Sequence, residues 1–535
     1  IQVTSRANQA GIGITTRQLF EAQTIAALAQ CVQPQQQVER PQGAVQGALR
    51  LLPIQQQFLA GDALDKHHHN QAVLLQVPLQ LQPEALRTAV AALYQRHDAL
   101  RLRFVERDGQ WQAQHQALDD AMLAASCVVE TLPADAQEIA AFLTARCNHW
   151  QAGFDLAQGP LLRVVLFQGE TTARLLLLAH HLVIDGVSWR ILLADLEQAY
   201  RQIERGETVA LAPKTSSLQQ WGEALAGYAQ SPALQQEKAY WLAQYRRPVP
   251  LLPADHAMPD GGEMAAAAHV GLRLSAEDTR ALLQQCNRAY RTQINELLLA
   301  GVYLGLRRWS GEPGLRIALE GHGREALFDN LDLTETVGWF TSIYPLTLWQ
   351  EDASVEAVIK ATKEQYRSVP ARGIGYGVLR HLAQDAELMA AEAGQWPELA
   401  FNYLGQSEQA VNEETFFQGS SESAGASASA RRRRAHALVL KGMVAGGELR
   451  LSLEYPRERY ERATMEQLAA HVEAALREVV EHCATRERAA FTPSDLPLAQ
   501  VGQAQLDEWQ ARYPAMTRLY PATPMQAGLL FESLL

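Results

Sequence analysis

Two apolar runs, Leu161–Phe167 and Arg174–His181, flank a turn at Gly169, and the second ends in a pair of histidines. Runs of this kind read as a hairpin of buried strands. Directly behind it, Arg190–Gly206 reads as an amphipathic helix. Leu192, Leu196, Tyr200 and Ile203 lie on one face, and Gly206 is a fitting stop. Similar signals recur along the chain. Ser275 and Asp278 open a helix with a capping-box pattern, and Thr292 is placed to cap an apolar helix ending near Trp309. Leu449, Leu451, Leu453 and Tyr455 alternate as a half-buried strand that pairs with Ala437–Val444 across the turn at Gly446 and Gly447. A helix over Met465–Cys483 puts Leu468, Val472, Leu476 and Val479 on one face, with Thr464 and Gln467 as its cap. The region from about Gly43 to about Arg486 is therefore expected to be mixed α/β (α+β).

The flanks read differently. Thr24 caps a short helix over Ile25–Cys31, and Gln33–Gln42 is a polar linker. Gly419–Ala430 is rich in Ser, Ala and Gly and runs into Arg431–Arg434. That composition predicts a flexible, solvated surface loop rather than an anion-binding patch. The length of 535 residues suggests about three domain-sized units. A net charge of −12 disfavours nucleic acid as a partner, because phosphate affinity needs a basic surface. The five cysteines are odd in number and form no CxxC pair, which favours reduced thiols in a cytoplasmic protein over a disulfide framework or a zinc site. No signal-peptide pattern and no apolar run near the ~18 residues of a membrane span is present.

Two constellations carry the chemistry. His180-His181-Leu182-Val183-Ile184-Asp185-Gly186-Val187-Ser188-Trp189 lies where the strand turns into the helix. A strand-end loop is where a reactive side chain is best presented. A histidine near its usual pKa of ~6.5 moves protons at neutral pH. Ser188 is expected to cap the helix. An isolated histidine pair is better explained by packing; the whole pattern in this context points to chemistry. The second constellation, Glu320-Gly321-His322-Gly323-Arg324-Glu325, closes the apolar run Leu315–Leu319. It sets a carboxylate at a strand end, and a dry site would raise its pKa toward that of a general base. Thr336–Thr341, Gly373–Gly377 and Phe401–Gln406 are rich in aromatics, glycine and amides. Asn402 and Tyr403 are candidate donors to a carbonyl oxygen or enolate. The glycines near Gly373 lack the strand–helix setting of a dinucleotide fingerprint. His67–His69 lack further ligands at zinc spacing and read as a substrate-facing or exposed loop.

These residues resemble a known family. HHxxxDGxSW at His180–Trp189, with Leu52–Gln55 and Arg96–Arg101, is similar to the motifs of the condensation superfamily of nonribosomal peptide synthetases. Glu320–Glu325, Thr336–Pro345, Pro370–Gly377 and Phe401–Gln406 resemble its epimerization branch. The resemblance implies two chloramphenicol-acetyltransferase-like lobes in a V shape, over residues 43–210 and 211–488, with a tunnel between them. It implies His181 and Glu320 as catalytic residues, with His180, Asp185, Gly186, Ser188, Trp189, Arg324, Asn402 and Tyr403 in support. Among these, His180 and Asp185 serve architecture. No metal and no intrinsic cofactor is expected, since the substrate rides on the 4'-phosphopantetheine of an adjacent carrier domain. Residues 1–32 resemble the last part of a peptidyl carrier, whose modified serine would lie just before Ile1. Residues 489–516 are a second linker, and 517–535 resemble the start of a following condensation domain. The implied activity is L-to-D epimerization of a carrier-bound aminoacyl or peptidyl thioester. A peptide-bond-forming condensation domain and a non-catalytic carrier-docking domain are the alternatives.

Overall fold

The computed structural model describes residues 3–534 except 5–6, 8–10, 15–17, 20–21, 23, 35–39, 62–63, 258–261 and 407–415. Part of the expected first linker therefore lies outside the described residues. Four strands from the first half of the chain form one large sheet: β1 (Asn70–Val77), β2 (Cys127–Thr131), β3 (Leu162–Gln168) and β4 (Ala173–His180). Six from the second half form another: β5 (Ala267–Arg273), β6 (Gly314–Gly321), β7 (Ser342–Trp349), β8 (Leu399–Gln406), β9 (Leu438–Ala445) and β10 (Glu448–Pro456). The expected hairpin is present, with β3 and β4 antiparallel and Leu162 opposite Ala179. β1 lies on the other side of β4. The second sheet runs β5-β10-β9-β8-β6-β7, and its three adjacent strands β9, β8 and β6 are mutually parallel. Two sheets built from successive halves of the chain, each with its own helices, give the expected two-lobed α/β fold.

Helix α1 (Pro83–Arg96) packs on α2 (Gly186–Glu204), whose Leu192, Leu196 and Tyr200 are buried. The early motif Arg96–Arg101 serves this contact: Arg96 and His97 both engage the buried Asp195 of α2. In the second lobe, α3 (Ile294–Ser310) packs against α4 (Val355–Arg367) and α5 (Arg462–Ala484). Gly301 and Gly305 permit the close approach of α3 to α5. A Cβ on Gly305 would lie 2.6 Å from the Val472 Cα, and one on Gly301 would overlap Leu476.

Two expected caps are replaced by others. Gln293, not Thr292, precedes α3, and the Glu296 carboxylate accepts from the Gln293 amide at 2.8 Å. Helix α5 starts at Arg462, before Thr464, because Asp255 reaches in from a distant segment. Asp255 accepts from the Glu461 amide at 2.8 Å and the Thr464 hydroxyl at 2.9 Å.

The low-complexity stretch lies at the surface as expected, with Ala426, Ala430 and Arg431 among its exposed residues, but it is tied to the first lobe. From Phe416 it crosses the first lobe, where Gln418–Gly419 adds an edge strand to β1. Ser427 accepts from the Asn70 amide at 2.7 Å, and Glu422 pairs with Arg174 at 2.8 Å. Arg434 is buried against Glu454 at 2.7 Å, and Arg432 lies over the Phe58 ring at 5.5 Å and donates to His69. Small residues allow the close backbone approach: a Cβ on Gly425 would sit 2.8 Å from the Cys147 backbone. Arg432 and Arg434 are thus spent on a carboxylate and rings, not on water.

Residues 489–516 fold onto α4. The Lys363 ammonium, fully buried, reaches Asp495 at 2.6 Å, and Lys360 reaches Asp507 of α6 (Gln503–Arg512) at 2.7 Å. Beyond it, the helix Pro524–Leu534 exposes Met525, Leu529, Leu530 and Phe531. At the other end Thr24 caps Ile25–Cys31 as expected. Among the described residues no helix is long and apolar enough to cross a membrane.

Gly305→Val would force α3 off α5, an overpacking that costs about 1–3 kcal/mol. Denaturant unfolding should show the loss. An unchanged midpoint would mean that the helices do not cross this closely.

Candidate active site

The site is built where β4 ends. His180 is the last residue of the strand, His181–Val183 form one tight turn, and α2 begins at Gly186. His180 is wholly buried. Its Nε2 donates to the Lys66 carbonyl at 2.9 Å and its Nδ1 accepts from the Leu182 amide at 3.2 Å. Burial pushes its pKa down to about 3, so it acts as a neutral strut. Gln55, from the first motif, donates to the Leu182 carbonyl at 2.9 Å and holds the turn from beneath.

The cap of α2 is Asp185, not Ser188. Asp185 has extended backbone geometry and directly precedes the helix, whereas Ser188 already lies in the first turn. The Asp185 carboxylate accepts from the Ser188 amide and hydroxyl, both at 2.8 Å. Gly186 is exposed, and a side chain there would meet open space, so the structure gives it no contact in the site.

The His181 ring sits in an aromatic slot. Trp339 lies 4.3 Å away on centroids, and His69 stacks on it at 5.0 Å. Its Nε2 meets the Gln71 amide nitrogen at 2.8 Å, and Gln71 Oε1 accepts from Trp189 Nε1 at 2.8 Å. Burial drives the His181 pKa to about 4, so the ring is neutral at physiological pH rather than poised near 6.5. Sequence reasoning gives no role to Gln71 or Trp339, and treats His69 only as part of a histidine run. His67 is exposed, as expected of a loop, and accepts from the Leu156 amide, whereas His68 is buried and donates to the Ala426 carbonyl at 2.7 Å.

Glu320 stands at the end of β6 as expected. The three parallel strands are in register there, so Glu320, Asn402 and Lys441 form one row across β6, β8 and β9. Asn402 donates to the Glu320 carboxylate. Solvent reaches the Glu320 side chain, yet the surrounding protein removes enough water to raise its pKa. The Lys441 ammonium and the Asn402 hydrogen bond oppose that rise. Strand alternation puts Tyr403 on the other face with buried Phe401, and its ring would lie 3.5 Å from a Cβ on Gly442. Tyr403 is therefore not brought to Glu320.

The two constellations meet in a buried ion pair. Arg324 Nη2 donates to both Asp185 oxygens at 2.9 and 3.0 Å and to Ser188 Oγ at 3.0 Å. Its Nη1 donates to the carbonyls of Leu333 and Thr336, and its guanidinium lies 4.1 Å over the Phe340 ring. The Phe340 amide donates to Asp185 at 3.2 Å. Gly323 makes the turn possible: its φ is +67°, and a Cβ would overlap the Phe340 carbonyl. His181 and Glu320 each precede their member of the pair by four residues. Four residues reach at most about 14 Å, which bounds how far each candidate lies from the pair. One open cleft of about 1650 Å³ is lined by Leu59, Lys66, Trp111, Gln230 and Arg433 among others, and by neither His181 nor Glu320.

The family model for the condensation domain matches residues 45–500. The chain belongs to the condensation domain family. Among relatives of this condensation domain, one of the linear gramicidin synthase proteins of Brevibacillus parabrevis is 43% identical over 544 residues, covering 100% of this chain. A mycosubtilin synthase protein of Bacillus subtilis is 38% identical over 539 residues, again covering 100% of it. The chain spans 7% and 20% of those two relatives, respectively. A crystal structure described as the epimerization domain from the third module of tyrocidine synthetase B matches with TM-score 0.76 and 35% identity. That match covers 83% of this chain and 98% of the other. The X-domain from teicoplanin biosynthesis shares the fold, with TM-score 0.64 at 20% identity over 83% of this chain and 96% of that one.

Arg324→Met would leave the Asp185 carboxylate buried and unpaired, a change that typically costs about 3–5 kcal/mol. Urea unfolding of the variant should show a loss of that order; a loss below about 1 kcal/mol would mean that the pair is solvated and dispensable.

Proposed function

We propose that this condensation-family domain epimerizes the α-carbon of an aminoacyl or peptidyl thioester carried on phosphopantetheine. The observation that carries this reading is the row across β6, β8 and β9 in which Asn402 donates to the Glu320 carboxylate beside Lys441, with desolvation raising that carboxylate's pKa. Its likeness to the tyrocidine synthetase epimerization domain adds support. In the proposed step the Glu320 carboxylate takes the α-proton on one face. The C–H electron pair passes into the thioester carbonyl as an enolate. A solvent water at the His181 side then gives a proton to the opposite face, and the hydroxide left behind takes the proton from Glu320, leaving the inverted centre, a water and the Glu320 carboxylate. The neutral His181 ring guides that second proton and lines the enolate. Residues 1–32 and 517–535 would belong to the neighbouring carrier and condensation domains, with the arm entering between the lobes. Residues of this chain supply the acid–base groups, so no metal is invoked.

Condensation is the second reading, favoured by the family description itself. It would use His181 toward an incoming amine and would give Glu320 no part.

The two readings separate in one assay. The chain joined to its complete upstream carrier, loaded with an L-aminoacyl or peptidyl pantetheine, is placed in heavy water. Deuterium at the α-carbon and the D/L ratio are read after thioester release. Uptake with inversion is expected, falling by about 10²–10⁴-fold in Glu320→Gln and in His181→Ala. Peptide-bond formation with an added acceptor thioester and no uptake would overturn the proposal.

A further inference from the structure

Gln71 is the second residue of β1 and lies opposite Ala179 of β4, one strand away from the His181 turn. Its side chain is half-buried between two rings. An indole Nε1–H is a donor only, so the Trp189 bond at 2.8 Å fixes which end of the Gln71 amide is the oxygen. The amide nitrogen must then face His181 Nε2, also at 2.8 Å. A primary amide nitrogen only donates, so Nε2 must be the acceptor. In a neutral imidazole the single proton then resides on Nδ1.

We infer that Gln71, anchored by Trp189, is the positioning residue that fixes the tautomer of His181 and directs its Nε2 lone pair. The inference rests on the reading of His181 as a proton-handling residue, while the tautomer itself does not. The signature Trp189 thereby acquires a task that packing alone would not require. Other charged or titratable groups facing His181 are Asp185, Arg432, His69 and His180. None of them hydrogen-bonds its Nε2 among the described residues. A resting Nε2 that already accepts a proton donor is kept from capturing a proton of its own until the substrate competes for it. Gln71 thus sets when the ring becomes available as well as how it is turned.

Substitutions at Gln71 test this by reversing the donor. A carboxylate at this position can still accept from Trp189 on one oxygen, but its other oxygen can only accept, so the ring must place its proton on Nε2. The full chain, labelled with [15N]histidine, is examined by long-range 1H–15N NMR at pH 7, with His181 assigned through His181→Ala. In the unaltered protein His181 should be neutral with its proton on Nδ1. Gln71→Glu should move that proton to Nε2, and Trp189→Phe, which frees the amide to rotate, should weaken the preference. The carrier-loaded chain should lose α-deuterium uptake by about tenfold or more in Gln71→Glu, in kcat rather than KM. An Nε2-protonated ring in the unaltered protein overturns the inference whatever the variants do, as does an unchanged His181 pattern in a folded Gln71→Glu. Absence of uptake in the unaltered chain alongside the expected tautomer would instead fault the proposed function and leave Gln71 as the residue that orients His181.

Discussion

Almost everything about the site depends on one buried ion pair. Asp185 and Arg324 are side chains with 5% and 2% exposure, supplied by opposite lobes. Burying two charges is expensive, and mutual attraction rarely repays it unless every remaining donor and acceptor is used. Here nearly all are used. Asp185 receives the Ser188 amide and hydroxyl, the Phe340 amide and the guanidinium, and Arg324 spreads its other donors over two carbonyls. The pair works as a register pin between lobes. It holds the turn that presents His181 against the turn that follows Glu320, and the Ser188 hydroxyl seconds it by meeting the Gly338 backbone at 3.1 Å.

The crossing segment from Phe416 to Arg434 reinforces the pin from the far side. It adds an edge strand to β1, pairs Glu422 with Arg174 and lays Arg432 against His69. One lobe thereby contributes to the wall of the other lobe's histidine cluster. The cluster itself is dry and close to the Arg432 guanidinium, which explains why His69, His180 and His181 are all held below the ordinary imidazole range. On the opposite lobe desolvation works in the other direction, raising Glu320. Loss of water to the surrounding protein thus favours both a neutral imidazole and a more basic carboxylate, although solvent still reaches Glu320, and the pairing suits proton transfer next to a carbonyl.

Features set by local periodicity were legible in the sequence. The β3–β4 hairpin, the buried face of α2 and the β9–β10 pair follow from side-chain alternation and helical spacing that any neighbour would satisfy. The positions of His181 and Glu320 at strand ends were legible for the same reason. What escaped was set by contacts between distant segments. Asp255 moves the start of α5, and Glu296 supersedes Thr292 at the start of α3. The arginine run looked solvated because its partners, Glu454, His69 and Phe58, lie far away in sequence. Tyr403 seemed equivalent to Asn402 until strand parity put them on opposite faces. Gln71 carried only a faint signal, one of two polar residues that open the strand, two positions beyond a histidine.

The most direct test is a crystal structure of the full chain with a pantetheine whose thioester is replaced by a stable aminoacyl thioether. The α-carbon should lie between the Glu320 carboxylate and the His181 ring, with one on each face, and the Asp185–Arg324 pair should be intact beneath it. An α-carbon within reach of only one of the two, or with both on the same face, would contradict two-sided proton transfer at this site.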